Sequence, residues 1–243
     1  MKKYFAFLLL TLIVLPVESA FAQVSNKKLD KFFVRKMKKA HLVGLQAAYL
    51  VKGELAWIGS YGLKNNSTKE PVNDHTLFMI ASCSKPVTAL ALMKLYNDGR
   101  FRLDDDINNW LPFKVNNPNF PGKPITFRML LTHTSSLKDD NDLLFKLYTL
   151  PQGGDSPLTL EDFVKGYFLP GGSYYAAGNN FTKDAPGTKK LYCNAGFAMA
   201  GYLIEQISGM AFSGYMKTAV FGPLGMNNSS WYLRDLPDSN MAC

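Results

Sequence analysis

The chain has 243 residues, of which 47% are hydrophobic and 13% aromatic, and its formal charge is +8 at neutral pH. This composition excludes a largely disordered protein, because it supplies ample apolar side chains for a core. The length suits one large domain or two closely packed lobes. Neither the three histidines nor the three cysteines form a cluster with metal-ligand spacing, so the sequence gives no support for a zinc site.

The first 22 residues have the pattern of an export signal. Lys2 and Lys3 precede an apolar run at 5–15, and the Ala-Phe-Ala sequence at 20–22 suits a signal peptidase. A membrane span needs roughly twenty apolar residues, so this run is too short to cross a bilayer. We therefore expect a signal peptide at 1–22, an exported protein in the periplasm or outside the cell, and no stable membrane span.

A basic segment follows at residues 27–39, where lysines and arginines alternate with Leu29, Phe32, Phe33 and Met37. This spacing predicts an amphipathic helix with a solvated basic face. Nucleic-acid binding is the sharper alternative, but an exported protein rarely meets nucleic acid, so we expect no such partner. Attraction to an anionic cell envelope is compatible with the charge.

Residues 44–62 predict a β-hairpin, because two apolar stretches flank a Lys-Gly-Glu turn at 52–54. Adjacent antiparallel strands argue against a doubly wound parallel fold. The next helix is predicted over about 82–98, and Pro86 places its start close to Ser82, since proline is tolerated only near the first turn. The expected buried stripe of this helix comprises Val87, Leu90, Ala91, Leu92 and Leu95.

Residues 104–190 are rich in Pro, Gly, Asn and Asp, which predicts short helices between loops. Two of these helices are expected within 125–131 and 158–167, and a long loop is expected at 171–187. A second apolar helix is predicted over about 195–208, ended by a glycine.

Ser82 and Lys85 form an S-x-x-K sequence at the predicted start of a helix, where both side chains lie on one face. A serine hydroxyl is a weak nucleophile unless a base takes its proton, and a desolvated lysine can act as that base. The S-x-x-K sequences at 25–28 and 135–138 are attributed to chance, because only Ser82 opens a buried helix. For Ser82 alone, a helix-capping serine is the alternative.

Tyr192 and Asn194 form the only Y-x-N in the chain, just before the second apolar helix. A phenol can relay a proton to a leaving group, and an amide can fix a substrate carbonyl. A buried tyrosine near a helix start is the alternative when this motif is considered alone.

With these two motifs in this order, the sequence resembles the serine β-lactamase-related family, which includes class C β-lactamases, D,D-peptidases, D-aminopeptidases and short-chain esterases. The likeness extends from about residue 40 to the end. Further matching stretches lie at 97–105, 130–137, 202–205 and 221–226. The resemblance implies an α+β fold of the β-lactamase/transpeptidase type, with an antiparallel sheet flanked by helices and a mostly helical lobe at about 104–225.

The resemblance also implies roles for individual residues. Ser82 would be the acylated nucleophile, and its backbone N–H would form half of an oxyanion hole. Lys85 and Tyr192 would share the base and acid roles, and Asn194 would orient the substrate. His133 is expected to be structural rather than a triad base, and no G-x-S-x-G supports a Ser-His-Asp hydrolase.

The implied reaction is acyl transfer through an acyl-serine, without metal or organic cofactor. The substrate would be a β-lactam, a D-Ala-D-Ala-type peptide from peptidoglycan or a small ester, and the sequence does not choose among them. Two alternatives stay open: a non-catalytic penicillin sensor or binding module, and a degenerate gene product. The sequence leaves the oligomeric state open.

The C-terminal part departs from the family. Members carry a third motif on a strand beyond the Pro-Leu-Gly-Met sequence, and nothing after Met226 matches it. That strand supplies a second oxyanion donor, whose loss typically costs roughly 2.7–4 kcal/mol of transition-state stabilisation. We therefore expect 23–243 to be an incomplete catalytic domain without its C-terminal strands, inactive and prone to aggregate.

Cys83 follows the nucleophile and Cys193 follows the motif tyrosine. Because the two motifs converge in the family fold, a disulfide that braces the site is a hypothesis. Two buried thiols are the alternative.

Overall fold

A computed structural model of the protein describes residues 26–148, 154–237 and 240–242. The expected signal peptide at 1–22 lies outside these residues. Among the residues described, no helix is both long and apolar enough to cross a membrane. The chain divides into two compact units, one comprising the residues up to Thr76 together with Ala242 and the other running from Leu77 to Met241.

The first unit is a helix with a three-stranded antiparallel sheet in the order β1-β2-β3. Its elements are α1 (Lys27–Ala40), β1 (Gly44–Val51), β2 (Glu54–Asn65) and β3 (Glu70–Pro71). The turn between β1 and β2 has positive φ at both Lys52 and Gly53, as a tight hairpin turn requires. The predicted hairpin is thus confirmed, and its second strand extends to Asn65.

Helix α1 lies against the sheet through its apolar face. Phe33 stacks on Trp57 with ring centroids 5.3 Å apart, and Met37 is buried. The Tyr61 hydroxyl donates to the Asp30 carboxylate at 2.6 Å, and burial together with this carboxylate raises the pKa of Tyr61. The seven basic side chains at 27–39 are all exposed, which confirms the predicted amphipathic helix.

The second unit is mostly helical. Its α-helices are α2 (Ser84–Asn97), α3 (Phe127–Leu131), α4 (Asn141–Tyr148), α5 (Leu160–Phe168), α6 (Ala177–Asn180), α7 (Asn194–Ser208) and α8 (Phe212–Tyr215). Its described residues also form short 3₁₀ turns at Ala81–Cys83, Ile107–Asn109 and Leu233–Asp235 and a π-helical segment at Met216–Phe221.

Helix α7 is the centre of this unit, because α2, α3, α5 and α8 all pack against it. Met199, Ala200 and Leu203 have no solvent exposure. The helix ends at Gly209, whose φ of 70° is left-handed. This confirms the predicted second apolar helix and its glycine stop.

Helix α2 begins two residues after the predicted start at Ser82, and its predicted buried stripe was partly wrong. A 3₁₀ turn at 81–83 precedes α2, so Pro86 falls in the first turn. Leu90 is 50% exposed and Val87 is half-buried. The buried face instead consists of Thr88 and three of the predicted residues, which share one side of the helix. These three are Ala91, Leu92 and Leu95.

Candidate active site

The S-x-x-K motif spans the junction between the 3₁₀ turn and α2. This arrangement brings Lys85 Nζ to 3.3 Å from Ser82 Oγ, to which it donates a hydrogen bond. Ser82 is exposed and Lys85 is half-buried. Ala81, just before the serine, has a φ of 44°, in a region that residues other than glycine rarely adopt. Such backbone strain often accompanies a functional site.

Tyr192 lies on the other side of the serine. Its hydroxyl donates to Ser82 Oγ at 2.8 Å, and Lys85 Nζ lies 4.7 Å from the centre of its ring. Hydrogen bonding with Lys85, and secondly with Ser82, lowers the pKa of the Tyr192 phenol. A lysine amine and a phenol therefore converge on one serine oxygen, which provides two groups able to accept or return its proton.

Asn194 connects this pair to the interior. Its Oδ1 accepts a hydrogen bond from Lys85 Nζ at 2.6 Å, and its Nδ2 donates to Asp139 at 2.8 Å. The structure thus brings together all four residues that the sequence singled out. In this structure Asn194 binds Lys85. The expected contact of Asn194 with substrate remains a proposal, and the second N–H of its amide is the group that would make this contact.

Asp139 also lies at this site and was not predicted from the sequence. One of its carboxylate oxygens accepts from the backbone N–H of Ala195 at 2.9 Å and from the thiol of Cys193 at 3.2 Å. The other accepts from the backbone and side-chain nitrogens of Asn194, each at 2.8 Å. A carboxylate is suited to the positive end of a helix. The sequence signal that could have indicated Asp139 is its position two residues after the stretch at 130–137 that matches the family.

His133 contacts the backbone that leads into the Y-x-N motif. Its Nδ1 accepts from the N–H of Cys193 at 3.1 Å, and its carbonyl accepts from the N–H of Leu191 at 2.8 Å. The ring also lies 4.7 Å from that of Tyr192. This geometry favours the expected structural role, because the ring nitrogen is engaged with backbone rather than with Ser82.

Acid should loosen this contact. Burial, and secondly the charges of Lys85 and Lys190, hold the pKa of His133 below its ordinary value of 6.5. As the pH falls below 6.5, the unfolded chain binds a proton that the folded chain resists, so folding stability declines. Protonation also removes the acceptor at Nδ1. We expect His133→Asn, whose amide oxygen can accept from Cys193, to lose less stability between pH 7 and 5 than the unaltered chain.

Unfolding midpoints over this pH range test the prediction. His41→Asn is the control, because His41 is exposed and lies in the first unit. This control should retain the acid-side decline of the unaltered chain. An equally steep decline in His133→Asn would show that the His133 contact is not responsible.

The disulfide hypothesis is wrong, since Cys83 and Cys193 are both free. Cys83 is exposed, so the alternative of two buried thiols is wrong as well. Cys193 is buried because its sulfur faces inward at the start of α7, where it accepts from the N–H of Gly196 at 3.2 Å and donates to Asp139. The Cys193 sulfur therefore caps the N-terminus of α7.

The two thiols should differ sharply in reactivity. Burial, and secondly the charge of Asp139, raises the pKa of the Cys193 thiol well above its ordinary value, and thiolate is the reactive form. We expect iodoacetamide to alkylate Cys83 in the folded protein without reductant, and Cys193 only after unfolding. Peptide mapping by mass spectrometry checks this. A Cys83–Cys193 peptide that is released by reductant would contradict the prediction.

In the part of the chain that the structure covers, no group of three His, Cys, Asp or Glu side chains has the arrangement to hold a metal ion. The candidate site itself offers four reactive side-chain groups: a serine oxygen, an amine, a phenol and an amide. These groups suit nucleophilic attack on a carbonyl followed by proton transfer to a leaving group.

Fold and site together define a protein of the β-lactamase/transpeptidase type with an S-x-x-K serine. An octameric penicillin-binding protein homologue from Pyrococcus abyssi matches 89% of this chain with a TM-score of 0.72 and 27% identity. The sequence profile of the Beta-lactamase family matches residues 29–242. The chain belongs to the Beta-lactamase family, and the predicted α+β fold is confirmed.

Relatives within the family have different names. Penicillin-binding protein 4* of Bacillus subtilis is 29% identical over 188 residues, which are 76% of this chain. Esterase EstB of Burkholderia gladioli is 34% identical over 111 residues, which are 45% of this chain. The chain spans 37% of the first relative, 28% of the second and 47% of the Pyrococcus abyssi chain.

Proposed function

We propose that the protein is a serine hydrolase that works through an acyl-enzyme on Ser82. The observation that carries this proposal is the convergence of Lys85 Nζ, at 3.3 Å, and Tyr192 OH, at 2.8 Å, on Ser82 Oγ. The substrate is a small molecule or a peptidoglycan-derived peptide, met outside the cytoplasm after export of the chain.

The proposed acylation begins when the Lys85–Tyr192 pair takes the proton of Ser82. The serine oxygen then bonds to the substrate carbonyl carbon, and the carbonyl π pair moves onto its oxygen. Collapse of this intermediate breaks the bond to the leaving nitrogen or oxygen, which receives the proton through Tyr192. The second N–H of Asn194 can meanwhile bind a substrate carbonyl. Water then releases the acyl group and restores Ser82.

The family relatives support this chemistry without narrowing the substrate, because one is named a penicillin-binding protein and another an esterase. A β-lactam, a D-Ala-D-Ala-type peptide and a small ester all present a carbonyl to the same nucleophile. Adduct formation reports the attack of Ser82 directly, whatever the substrate class and whatever the rate of product release.

The test compares acyl donors from the three substrate classes. The protein is incubated separately with a penicillin, an aryl acetate and a depsipeptide that ends in D-Ala-D-lactate. Each reaction is quenched in acid, and the intact mass of the protein is measured by mass spectrometry. Each donor adds a different mass, and the fastest adduct identifies the substrate class. Ser82→Ala should gain no mass. An adduct with rapid product release indicates an enzyme, whereas a stable penicillin adduct without release indicates a sensor. A folded chain that gains no mass from any donor would overturn the proposal.

A further inference from the structure

We propose that Asp139 is a positioning residue that sets the orientation of the Asn194 amide, and through it the position of Lys85. This inference rests on the proposed function of Ser82, and it assigns part of the acylation rate to a carboxylate outside both motifs.

An asparagine amide has a donor end and an acceptor end, and it can be turned over at little intrinsic cost. An ionised carboxylate only accepts hydrogen bonds. Because Asp139 lies 2.8 Å from Asn194 Nδ2, the NH₂ group must face Asp139. The amide oxygen then faces Lys85 Nζ, 2.6 Å away. The carboxylate thus selects the amide orientation that offers Lys85 an acceptor.

Asp139 is itself held in place by the start of α7. Its two oxygens accept from the backbone N–H groups of Asn194 and Ala195, in addition to the thiol of Cys193. The first N–H groups of a helix have no partner inside the helix, so a carboxylate there is favourable. Helix capping alone does not require the side-chain bond to Asn194. That bond connects the cap to the catalytic lysine.

The segment that carries Asp139 is fixed beside the lead-in to the Y-x-N motif. Thr134 O accepts from the N–H of Gly187 at 2.8 Å, and Leu137 forms an antiparallel bridge with Phe181. Together with the two His133 contacts, these bonds tie residues 133–139 to residues 181–195. Asp139 therefore has a defined position relative to Asn194 before any substrate arrives.

The next residue, Asp140, provides a matched control. It is also an aspartate, but its carboxylate accepts from the N–H of Leu143 at 3.1 Å and from Asn179 Nδ2 at 2.8 Å. Asp140→Asn removes the same charge one residue away and leaves the contacts of Asn194 in place. A long-range electrostatic effect would appear in both variants, whereas a positioning effect would appear only in Asp139→Asn.

The test is a double-mutant cycle on the rate of penicillin adduct formation, in the full 243-residue chain. We expect Asp139→Asn and Asn194→Ala each to slow acylation by about tenfold or more, and Asp140→Asn to change it less than twofold. If Asp139 acts through Asn194, adding Asp139→Asn to Asn194→Ala should slow acylation less than twofold further. Equal losses from Asp139→Asn in both backgrounds would overturn the proposal, since a merely structural role gives that result.

A second measurement separates this inference from the proposed function. Hydrogen exchange at the Asn194 side-chain amide, followed by NMR, should be slow in the unaltered chain and in Asp140→Asn, and fast in Asp139→Asn. If the chain forms no adduct but shows this pattern, the proposed function fails and the positioning of Asn194 stands. If exchange is equally fast in all three proteins, Asp139 does not hold the amide, whatever the acylation rate.

Discussion

Replacing Lys85 by methionine is expected to slow acylation of Ser82 by a factor of about 10² to 10⁴, the usual contribution of a positioned acid or base. Lys85 Nζ is 3.3 Å from the serine oxygen, and the same nitrogen lies 4.7 Å and 5.9 Å from the ring centres of Tyr192 and Phe197. Methionine preserves an unbranched stem beside these rings and removes only the amine. The rate of adduct formation, followed by quenching and intact mass, measures the effect.

Lys138→Met is the control for this substitution. Lys138 closes the S-x-x-K at 135–138, but its Nζ donates to the carbonyl of Gly178 at 3.2 Å, and Ser135 of the same motif is buried. We expect Lys138→Met to change acylation less than twofold. If Lys85→Met were acylated as fast as the unaltered chain, Lys85 would not be the base. If both variants were equally slow, loss of positive charge would be the cause.

Tyr192→Phe is expected to slow acylation by a factor of at least about 10². The substitution removes the hydroxyl that lies 2.8 Å from Ser82 Oγ and keeps the ring that contacts His133. Because the pKa of Tyr192 is below its ordinary value of 10.0, phenolate forms at a lower pH than in a free tyrosine. Acylation by the unaltered chain should therefore rise with pH below 10, and Tyr192→Phe should lose this rise.

A pH profile of the adduct rate, from 6 to 10, separates this chemical role from a packing role. Tyr49→Phe is the control, because Tyr49 is an exposed residue of the first unit. It should retain both the rate and the profile. A Tyr192→Phe variant that is slower but keeps the same rise with pH would assign the titrating group elsewhere and contradict the proposed role of the phenol.

The four candidate site residues could be found from sequence because each belongs to a short motif with fixed spacing. Ser82 and Lys85 share one helix start, so local geometry alone brings them together. Tyr192 and Asn194 required the family resemblance, since nothing local shows that a distant segment reaches the same serine. That pairing is a tertiary contact, and the structure supplies it through the hydrogen bond from Tyr192 to Ser82.

Asp139 and His133 show why the rest of the site could not be predicted. Their roles depend on residues 133–139 lying beside the lead-in to α7, and no periodicity in the sequence specifies that pairing. The same reason accounts for the wrong disulfide hypothesis. Two cysteines near converging motifs need not face each other, and here the Cys193 sulfur caps α7 while Cys83 is exposed.

The fold was most predictable where one local signal dominated. The turn at 52–54 fixed the hairpin, and the apolar stretch before Gly209 indicated α7. The buried face of α2 was harder, because apolar residues occur on several sides of this helix. Leu90 is apolar and half exposed, while polar Thr88 is buried with its hydroxyl donating to the carbonyl of Ser84. Hydrophobicity alone could not choose between them.

The central claim is that Ser82 is the nucleophile, and the most direct measurement is the location of the acyl group after reaction with penicillin. Protein quenched in acid is digested, and its peptides are sequenced by mass spectrometry. We expect one penicilloyl group on Ser82 in the unaltered chain and none anywhere in Ser82→Ala. An adduct on a different residue, or one that persists in Ser82→Ala, would show that Ser82 is not the nucleophile.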